Sequence, residues 1–335
     1  MAVLVTGLGY MGAALAEGLL RRGEEVVALE NGFATDGAAL DRLAGAGVRL
    51  VRGDVAKPAD VRRAFERAPV ETVFHFAAQA SAHPDAAPPE YTERANLTGP
   101  RVVLDAMTRH GARTLVYASS FKVYGEQLAG AVDERRPYGA FRDLSHLSKV
   151  YAEKLLEMYA GAHGLCCLAL RFGIVHGLGP VLKTDPRFMT APNKFCLQAA
   201  RGEPLTVWGG GRAPAGFVHV ADAARAVLAA AGHAGFTGYV PLNVVGEVAS
   251  VAEVATYAAE AAAARGLPAR VDGLDPAGPV DEAARFTVSS GLDATSFRHE
   301  RTLRDSAGEV LGHFLAAGRA PAGTASAAAP GDDTL

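Results

Sequence analysis

The chain has 335 residues, 49% hydrophobic and 21% charged, which suits one large α/β domain or two small ones and excludes disordered and fibrous proteins. Its 33 Lys and Arg against 36 Asp and Glu give a formal charge of −3, so we expect neither nucleic acid nor a membrane surface as partner. Three cysteines, no basic leader and no apolar stretch of about 20 residues predict a cytoplasmic protein.

The first half of the chain alternates short β-branched runs with amphipathic stretches, a pattern typical of a parallel sheet covered by helices on both faces. Strands are predicted at residues 3–5, 25–29, 49–51, 72–76, 114–117 and 166–170. Helices are predicted at 12–22, 59–67, 91–109 and 144–162, and then, with less regular spacing, at 192–201, 220–231 and 251–265. The pattern predicts an α/β fold: a doubly wound parallel sheet of the Rossmann type with a smaller C-terminal substrate-binding lobe.

A dinucleotide site is indicated where the first strand meets the first helix. Gly7-Leu8-Gly9-Tyr10-Met11-Gly12 is a G-x-G-x-x-G, whose glycines permit a tight turn and the approach of a pyrophosphate to the helix N-terminus. Glu30 follows the second strand, where a carboxylate accepts hydrogen bonds from the adenosine ribose and repels a 2′-phosphate, so NAD is favoured over NADP. Asp54, after the third strand, is placed to receive the adenine amino group. The alternative is that these glycines serve only close packing.

These features divide the chain into three parts. Residues 1–172 form the predicted NAD-binding domain, and 215–245 are expected to return to it. Residues 173–318 form most of the substrate-binding lobe. Residues 319–335 are small or polar and predict a disordered tail.

A series of motifs along residues 1 to about 310 carries a family resemblance. The motifs are VTGLGYMG, GDV, VFHFAAQA, NLTG, LVYASSFKVYG, SKVYAEKL, LRFGIVHG, WGGG and FVHVAD. The chain is similar to the extended short-chain dehydrogenase/reductase family of NAD-dependent nucleotide-sugar epimerases and dehydratases, although its first two glycines are one residue closer than in the usual TGxxGxxG. The resemblance implies bound NAD held by Gly7, Gly9, Tyr10, Met11, Gly12, Glu30, Asn31, Asp54, Val55, Ala77, Ala78, Gln79, Asn96 and Lys149. The alternative for Asn96 is that it caps a helix from Leu97 onward.

The same resemblance points to an altered catalytic set. The family uses a Ser or Thr together with Tyr-x-x-x-Lys on one helix face, in which the ammonium lowers the phenol pKa. Lys149 occupies the lysine position and Ser120 the hydroxyl position, but Ser145 stands where the tyrosine belongs. The implied catalytic residues are therefore Ser120, Ser145 and Lys149, although Ser120 also reads as an ordinary strand-end serine.

A serine hydroxyl is a weaker acid than a phenol and reaches less far, so another proton carrier is needed. The candidates are His83, Tyr138, His146, Tyr151 and a water held by Ser145. Tyr151 lies two positions from Lys149, and His146 points about 100° from Ser145 on a regular helix, so both are expected to face away. His83, in a loop at the carboxyl edge of the sheet, is the best placed.

The substrate lobe also departs from the family. Ile174 replaces an asparagine, and Ala215-Gly216 replaces an Arg-Asp pair that would hold a diphosphate, so the substrate is expected to be a sugar nucleotide or a sugar phosphate. Phe121 and Lys122 replace the acid pair of the 4,6-dehydratases. The expected substrate contacts are His83, Phe121, Asn193 and Arg212, the last of which also fits a solvated loop. No cluster has metal-ligand spacing, so no metal is expected.

The leading function is epimerisation of a nucleotide-linked or phosphorylated sugar through a transient keto sugar, with NAD regenerated in each cycle. A keto-sugar reductase and a catalytically silent NAD-binding protein are the alternatives. The resemblance implies a homodimer through helices 91–109 and 144–162. Apolar residues recur along the second helix at Leu144, Leu147, Tyr151, Leu155 and Met158, a stripe that could instead face only its own sheet.

Overall fold

The computed structural model describes residues 2–81, 83, 85–125, 128–275 and 285–319. Its helices are α1 Tyr10–Arg21, α2 Gly37–Gly45, α3 Pro58–Phe65, α4 Pro89–Glu93, α5 Gly99–His110, α6 Leu144–His163, α7 Ala191–Arg201, α8 Val220–Ala231, α9 Val251–Ala263 and α10 Leu303–Arg319. Its strands are β1 Ala2–Thr6, β2 Val26–Glu30, β3 Arg49–Arg52, β4 Val70–His75, β5 Thr114–Ser120, β6 Ala131–Val132, β7 Cys166–Phe172, β8 Ile174–His176, β9 Leu205–Gly210, β10 Pro214–His219, β11 Tyr239–Val244, β12 Glu247–Ser250, β13 Val271–Leu274 and β14 Thr287–Val288.

Seven parallel strands form the central sheet in the order β11-β7-β5-β4-β1-β2-β3. Neighbouring residues of β1 point to opposite faces, so Val5 packs in the core beneath α1, α2 and α8, whereas Leu4 packs in the core beneath α3, α5 and α6. Because both faces are covered, every residue of β1 and β2 is buried. The chain runs from β1 through β2 to β3 on one side and then crosses to β4 on the other side of β1, which leaves a crevice between the carboxyl ends of β1 and β4.

The structure differs from the predicted elements in three respects. The predicted helix 91–109 is α4, a π-helical turn Arg94–Thr98 and α5, and the turn carries Asn96. Helices α2 and α10, strand β6 and the strands after β7 have no counterpart among the predicted elements. Within 215–245, β11 joins the edge of the central sheet, whereas β10 pairs with β8 and β12 in a separate small sheet.

A third apolar core forms a lobe from α7, α9 and α10 with β9, around Phe195, Leu205, Val254 and Leu311. The lobe is connected to the carboxyl end of β7, so its loops reach the crevice of the main sheet. Residues 320–335, nearly all of the predicted tail, lie outside the described residues.

Candidate active site

A cavity of about 690 Å³ lies in the crevice at the carboxyl ends of β1 and β4. Its wall comes from the turns after β1, β2, β4 and β5, from the start of α6, and from residues 172–190 and 213–216. A pocket at such a chain reversal, between a sheet and a second lobe, is the usual place for a nucleotide in an open α/β sheet.

The glycine turn after β1 is shaped for a pyrophosphate. A Cβ at Gly7, whose φ is +82°, would lie 2.5 Å from the Ala77 nitrogen, and one at Gly12 would lie 1.8 Å from the Gly7 oxygen. These two glycines therefore allow the turn to pack. Gly9, by contrast, is the N-cap of α1, lacks a side-chain cap and has open space where a Cβ would be. The first N–H groups of α1 can thus receive an anion, so the turn fits NAD.

Glu30 marks the adenosine end of the cavity. Its Oε2 accepts a hydrogen bond of 2.6 Å from the Leu8 nitrogen, and its Oε1 accepts one of 2.7 Å from the Gly32 nitrogen. The carboxylate is nearly buried and lines the cavity. Asn31 is the next lining residue and donates to the Tyr91 hydroxyl at 3.0 Å. This arrangement holds the Glu30 oxygens ready for ribose hydroxyls.

Most of the predicted cofactor and catalytic residues line this one cavity. They are Gly7, Gly9, Tyr10, Met11, Gly12, Glu30, Asn31, Val55, Ala77, Ala78, Ser120, Ser145 and Lys149. Asp54 is not part of the wall: its side chain caps the Ala56 nitrogen and lies 3.3 Å from the Arg94 Nε. Gln79 and Asn96 also lie behind the wall.

Asn96 holds the loop after β4 in place. Its Oδ1 accepts from the Gln79 nitrogen and its Nδ2 donates to the Gln79 oxygen, both at 2.8 Å, and Nδ2 also donates to the Ser148 Oγ at 2.9 Å. The π-helical turn supplies this side chain, which is 1% exposed. Asn96 therefore connects the loop after β4, through Gln79, to α6, through Ser148.

Ser145 and Lys149 lie one helical turn apart on the cavity side of α6. The Ser145 hydroxyl donates to the Gln79 oxygen at 3.3 Å. The Lys149 Nζ donates to the Ala118 oxygen at 2.7 Å and lies 4.8 Å from the centre of the Tyr117 ring. Burial lowers the pKa of Lys149 to about 8. A charged amine at the cavity wall can hold hydroxyl groups or a developing oxyanion.

The end of β5 contributes Ser120, Phe121 and Lys122 to the wall. The Ser120 Oγ accepts from the Lys122 nitrogen at 3.2 Å and so caps the short turn that follows the strand. Phe121 is buried against Tyr124 and Phe286, with ring centres 5.1 and 5.8 Å away. Ser120 is thus both a strand-end cap and a cavity residue.

His146 also lines the cavity, contrary to the expectation that it faces away. Asp143 is the N-cap of α6: its Oδ1 accepts from the His146 nitrogen at 2.9 Å, and its Oδ2 is hydrogen-bonded to the His146 Nδ1. In the first turn of a helix a side chain leans back past its own N-terminus, so the wheel angle does not place it. The capping carboxylate turns the ring to the cavity side.

The other candidate proton carriers are elsewhere. Tyr138 donates to the buried Glu153 carboxylate at 3.0 Å, and Tyr151 is 43% exposed, as expected for a residue that faces away from Lys149. His83 is exposed, its Nδ1 accepts from the Asp85 nitrogen, and it is not among the cavity residues.

Two of the predicted substrate contacts are used within the protein. Asn193 accepts from the Gly177 nitrogen at 3.0 Å and donates to the Gly177 oxygen and the Tyr10 hydroxyl, each at 3.2 Å. Arg212 lies 3.8 Å from Asp275 and outside the wall. Lys122, which stands at one of the acid positions of the 4,6-dehydratases, and Lys183 supply cations to the wall instead.

Glu153 holds α6, the helix of Ser145 and Lys149, in place, a role that the sequence did not indicate. It is fully buried one turn beyond Lys149, and its carboxylate accepts hydrogen bonds from Arg171, Ser119, Tyr138 and Tyr239. These partners come from β5, β7, β11 and the segment before α6, so the carboxylate fixes α6 against the sheet. Their sequence separations leave no local pattern that could have revealed the group.

Metal ligation and membrane crossing find no support in the described part of the chain. Among those residues, no group of three or more His, Cys, Asp and Glu side chains is arranged to hold a metal ion. No helix described here combines the length and the apolar character that a membrane span requires.

Comparison with known proteins decides the family. Residues 3–244 match the NAD dependent epimerase/dehydratase family. The chain belongs to this family. A UDP-glucose 4-epimerase of Streptomyces lividans is 31% identical over 242 residues, 68% of this chain and 70% of the relative. A dTDP-4-dehydro-6-deoxy-D-allose reductase of Streptomyces bikiniensis is 32% identical over 243 residues, 68% and 71% of the two chains.

A solved structure extends the likeness to the whole fold. The crystal structure of UDP-glucose 4-epimerase from Thermus thermophilus in complex with NAD has a TM-score of 0.79, is 29% identical and covers 94% of this chain and 99% of its own. The predicted family, the doubly wound fold, the NAD cofactor and the NAD-dependent epimerase class are confirmed by these findings.

Proposed function

We propose that this epimerase-family protein inverts a hydroxyl-bearing carbon of a nucleotide-linked or phosphorylated sugar through a transient keto sugar. The observation that carries the proposal is that one cavity is lined both by the glycine turn with Glu30 and by Ser120, Ser145 and Lys149. NAD, when bound, accepts a hydride from the sugar and returns it. The relatives that are named UDP-glucose 4-epimerase support the substrate class.

The chain's own residues have separate tasks in this proposal. Lys149 holds hydroxyl groups at the wall through its ammonium, which the Ala118 oxygen positions. Ser120 offers a hydroxyl at the sheet edge, and Ser145 orders a water. Lys122 and Lys183 are the cations in the wall that can face substrate or cofactor phosphates.

The test is turnover by the purified protein on a panel of nucleotide sugars and sugar phosphates that begins with UDP-glucose. Epimerisation predicts conversion of substrate without net use of added NADH. A keto-sugar reductase, which the Streptomyces bikiniensis relative supports as second candidate, consumes one NADH for each product. Tight NAD binding with no turnover on the whole panel contradicts both and leaves the silent NAD-binding protein.

Cofactor choice gives a prediction for Glu30. We expect NAD to bind at least about tenfold more tightly than NADP, because the buried carboxylate would face a 2′-phosphate dianion. Glu30→Ala should narrow this ratio, whereas Glu17→Ala, on the outer side of α1, should leave it unchanged. Isothermal calorimetry measures both affinities. Equal affinities in the unmodified protein would show that Glu30 does not meet the ribose.

We further propose a homodimer through α5 and α6. The apolar stripe of α6 has both buried and exposed members. Leu155 is 8% exposed and belongs to the core, whereas Leu147, Tyr151 and Met158 are 51%, 43% and 67% exposed. Three exposed apolar side chains in register on one helix favour an interface with a second copy.

We also propose a reducing, cytoplasmic location for the protein. The three free cysteines, which lie in apolar surroundings, support this proposal.

The dimer is tested by light scattering at micromolar concentration, where we expect twice the mass of one chain. Leu147→Glu should shift the protein to the monomer, because a carboxylate would be buried without a partner. Leu274→Glu, at an exposed leucine of β13, is the matched control and should stay dimeric. A monomeric unmodified protein would remove the proposal.

A further inference from the structure

The replacement of the family tyrosine by Ser145 leaves the reaction without a proton carrier, and His146 lies beside the gap. Its ring is part of the same wall as Ser120, Ser145 and Lys149, with 17% of its side chain exposed. A partly exposed ring in the cavity can reach a substrate hydroxyl, whereas Tyr138, Tyr151 and His83 are outside the wall.

Asp143 determines which ring nitrogen is available. Its Oδ2 is bonded to the Nδ1 of His146, while its Oδ1 is fixed by the backbone nitrogen of the same residue at 2.9 Å. A carboxylate in this position favours the tautomer that carries its proton on Nδ1. Nε2 is then the acceptor, and it has no hydrogen-bond partner among the residues that the structure describes. The pairing is that of a histidine base oriented by an acid.

We propose that His146 is the catalytic acid–base of this protein and takes the role of the missing tyrosine. The inference rests on the proposed function. As the C–H electron pair of the sugar leaves as a hydride, which bound NAD would accept, the hydroxyl proton passes to the His146 Nε2 and the C–O bond becomes a carbonyl. When the hydride returns to the opposite face, the same proton returns from Nε2 to the oxygen, so protons and electrons balance over the cycle.

The surroundings of the ring suit this exchange. Asp143, which is hydrogen-bonded to Nδ1, stabilises the imidazolium that forms when Nε2 accepts the proton. Imidazole is the side-chain group most often used for proton transfer in general acid–base catalysis.

The decisive variant is His146→Ala, compared with His163→Ala at the exposed end of the same helix. We expect turnover by the first to fall at least about a hundredfold while NAD affinity by calorimetry changes less than about threefold. Added imidazole should restore part of the turnover of His146→Ala and have no effect on His163→Ala.

A second measurement does not depend on turnover. In protein labelled with ¹⁵N-histidine, the signal that His146→Ala removes should be that of a ring protonated on Nδ1, and UDP-glucose should shift its Nε2 resonance. A ring protonated on Nε2, or one that does not respond to the nucleotide sugar, overturns the inference.

The possible failures are distinguishable. Unmodified protein that binds NAD but converts no sugar on the panel overturns the proposed function and the inference together. Active unmodified protein with His146→Ala within threefold of it overturns the inference alone. Loss of turnover accompanied by an equal loss of NAD affinity, without rescue by imidazole, shows a structural role for His146 and also overturns it.

Discussion

Lys149→Met is expected to lower turnover by about a thousandfold and to weaken NAD binding by about tenfold. The substitution keeps the length of the side chain but removes the amine that donates to the Ala118 oxygen at 2.7 Å beside the cavity. Steady-state kinetics and calorimetry measure the two effects. Lys154→Met, on the exposed side of the same helix, should change neither. A Lys149→Met protein with full NAD affinity would place the ammonium away from the cofactor.

The same variant should alter the pH dependence of stability. Burial lowers the pKa of Lys149 from its ordinary 10.5 to about 8. Between these values the unfolded chain holds a proton that the folded chain has released, so this group makes the free energy of unfolding rise with pH across that window. Urea unfolding from pH 8 to 10.5 should therefore show that the unmodified protein gains stability relative to Lys149→Met as the pH rises.

Glu153→Gln should produce the largest loss of stability, about 3–5 kcal/mol. The substitution removes the charge that faces Arg171, whose side chain is 3% exposed and whose Nη2 donates to the Glu153 Oε2 at 2.6 Å. It also places an amide NH₂ where donors from Ser119, Tyr138 and Tyr239 already point. The guanidinium would remain buried without its counter-charge. Urea unfolding measures the change.

Glu157→Gln is the matched control for this prediction. Glu157 lies one turn further along α6 and pairs with Lys154 at 2.9 Å, but both side chains are more than half exposed. An exposed pair contributes little, so we expect a change within about 0.5 kcal/mol. A similar small effect at Glu153 would show that water reaches the buried pair.

The parts of the site that could be predicted from sequence are those built by neighbouring residues. The glycine turn and Glu30 follow from spacing along one strand–helix–strand unit, and Lys149 follows from its position in a motif. Asp54, Asn193 and Arg212 were expected at ligands, but their side chains bond to nearby protein groups, a competition that residue spacing does not describe.

Long-range pairing accounts for most of what the sequence left out. Strand β11 is recognised only when it pairs with β7, and Glu153 is recognised only when four distant segments close around it. The orientation of His146 shows a second limit of prediction from sequence. A helical wheel predicts the direction of a side chain only where the helix continues on both sides of the residue. His146 lies in the first turn of α6, where the hydrogen bond to the N-cap residue Asp143 sets the direction of its ring.

We expect the contact between Tyr10 and the substrate lobe to couple the release of the cofactor to the separation of the two halves of the molecule. Tyr10 lies in the glycine turn, and its hydroxyl donates to the Gly177 oxygen at 2.5 Å while accepting from Asn193. We expect this bond between the two halves of the molecule to hold a dinucleotide seated on the turn. The rate at which labelled cofactor exchanges should then report how often the halves separate. Slow exchange would let one cofactor molecule serve many successive substrates.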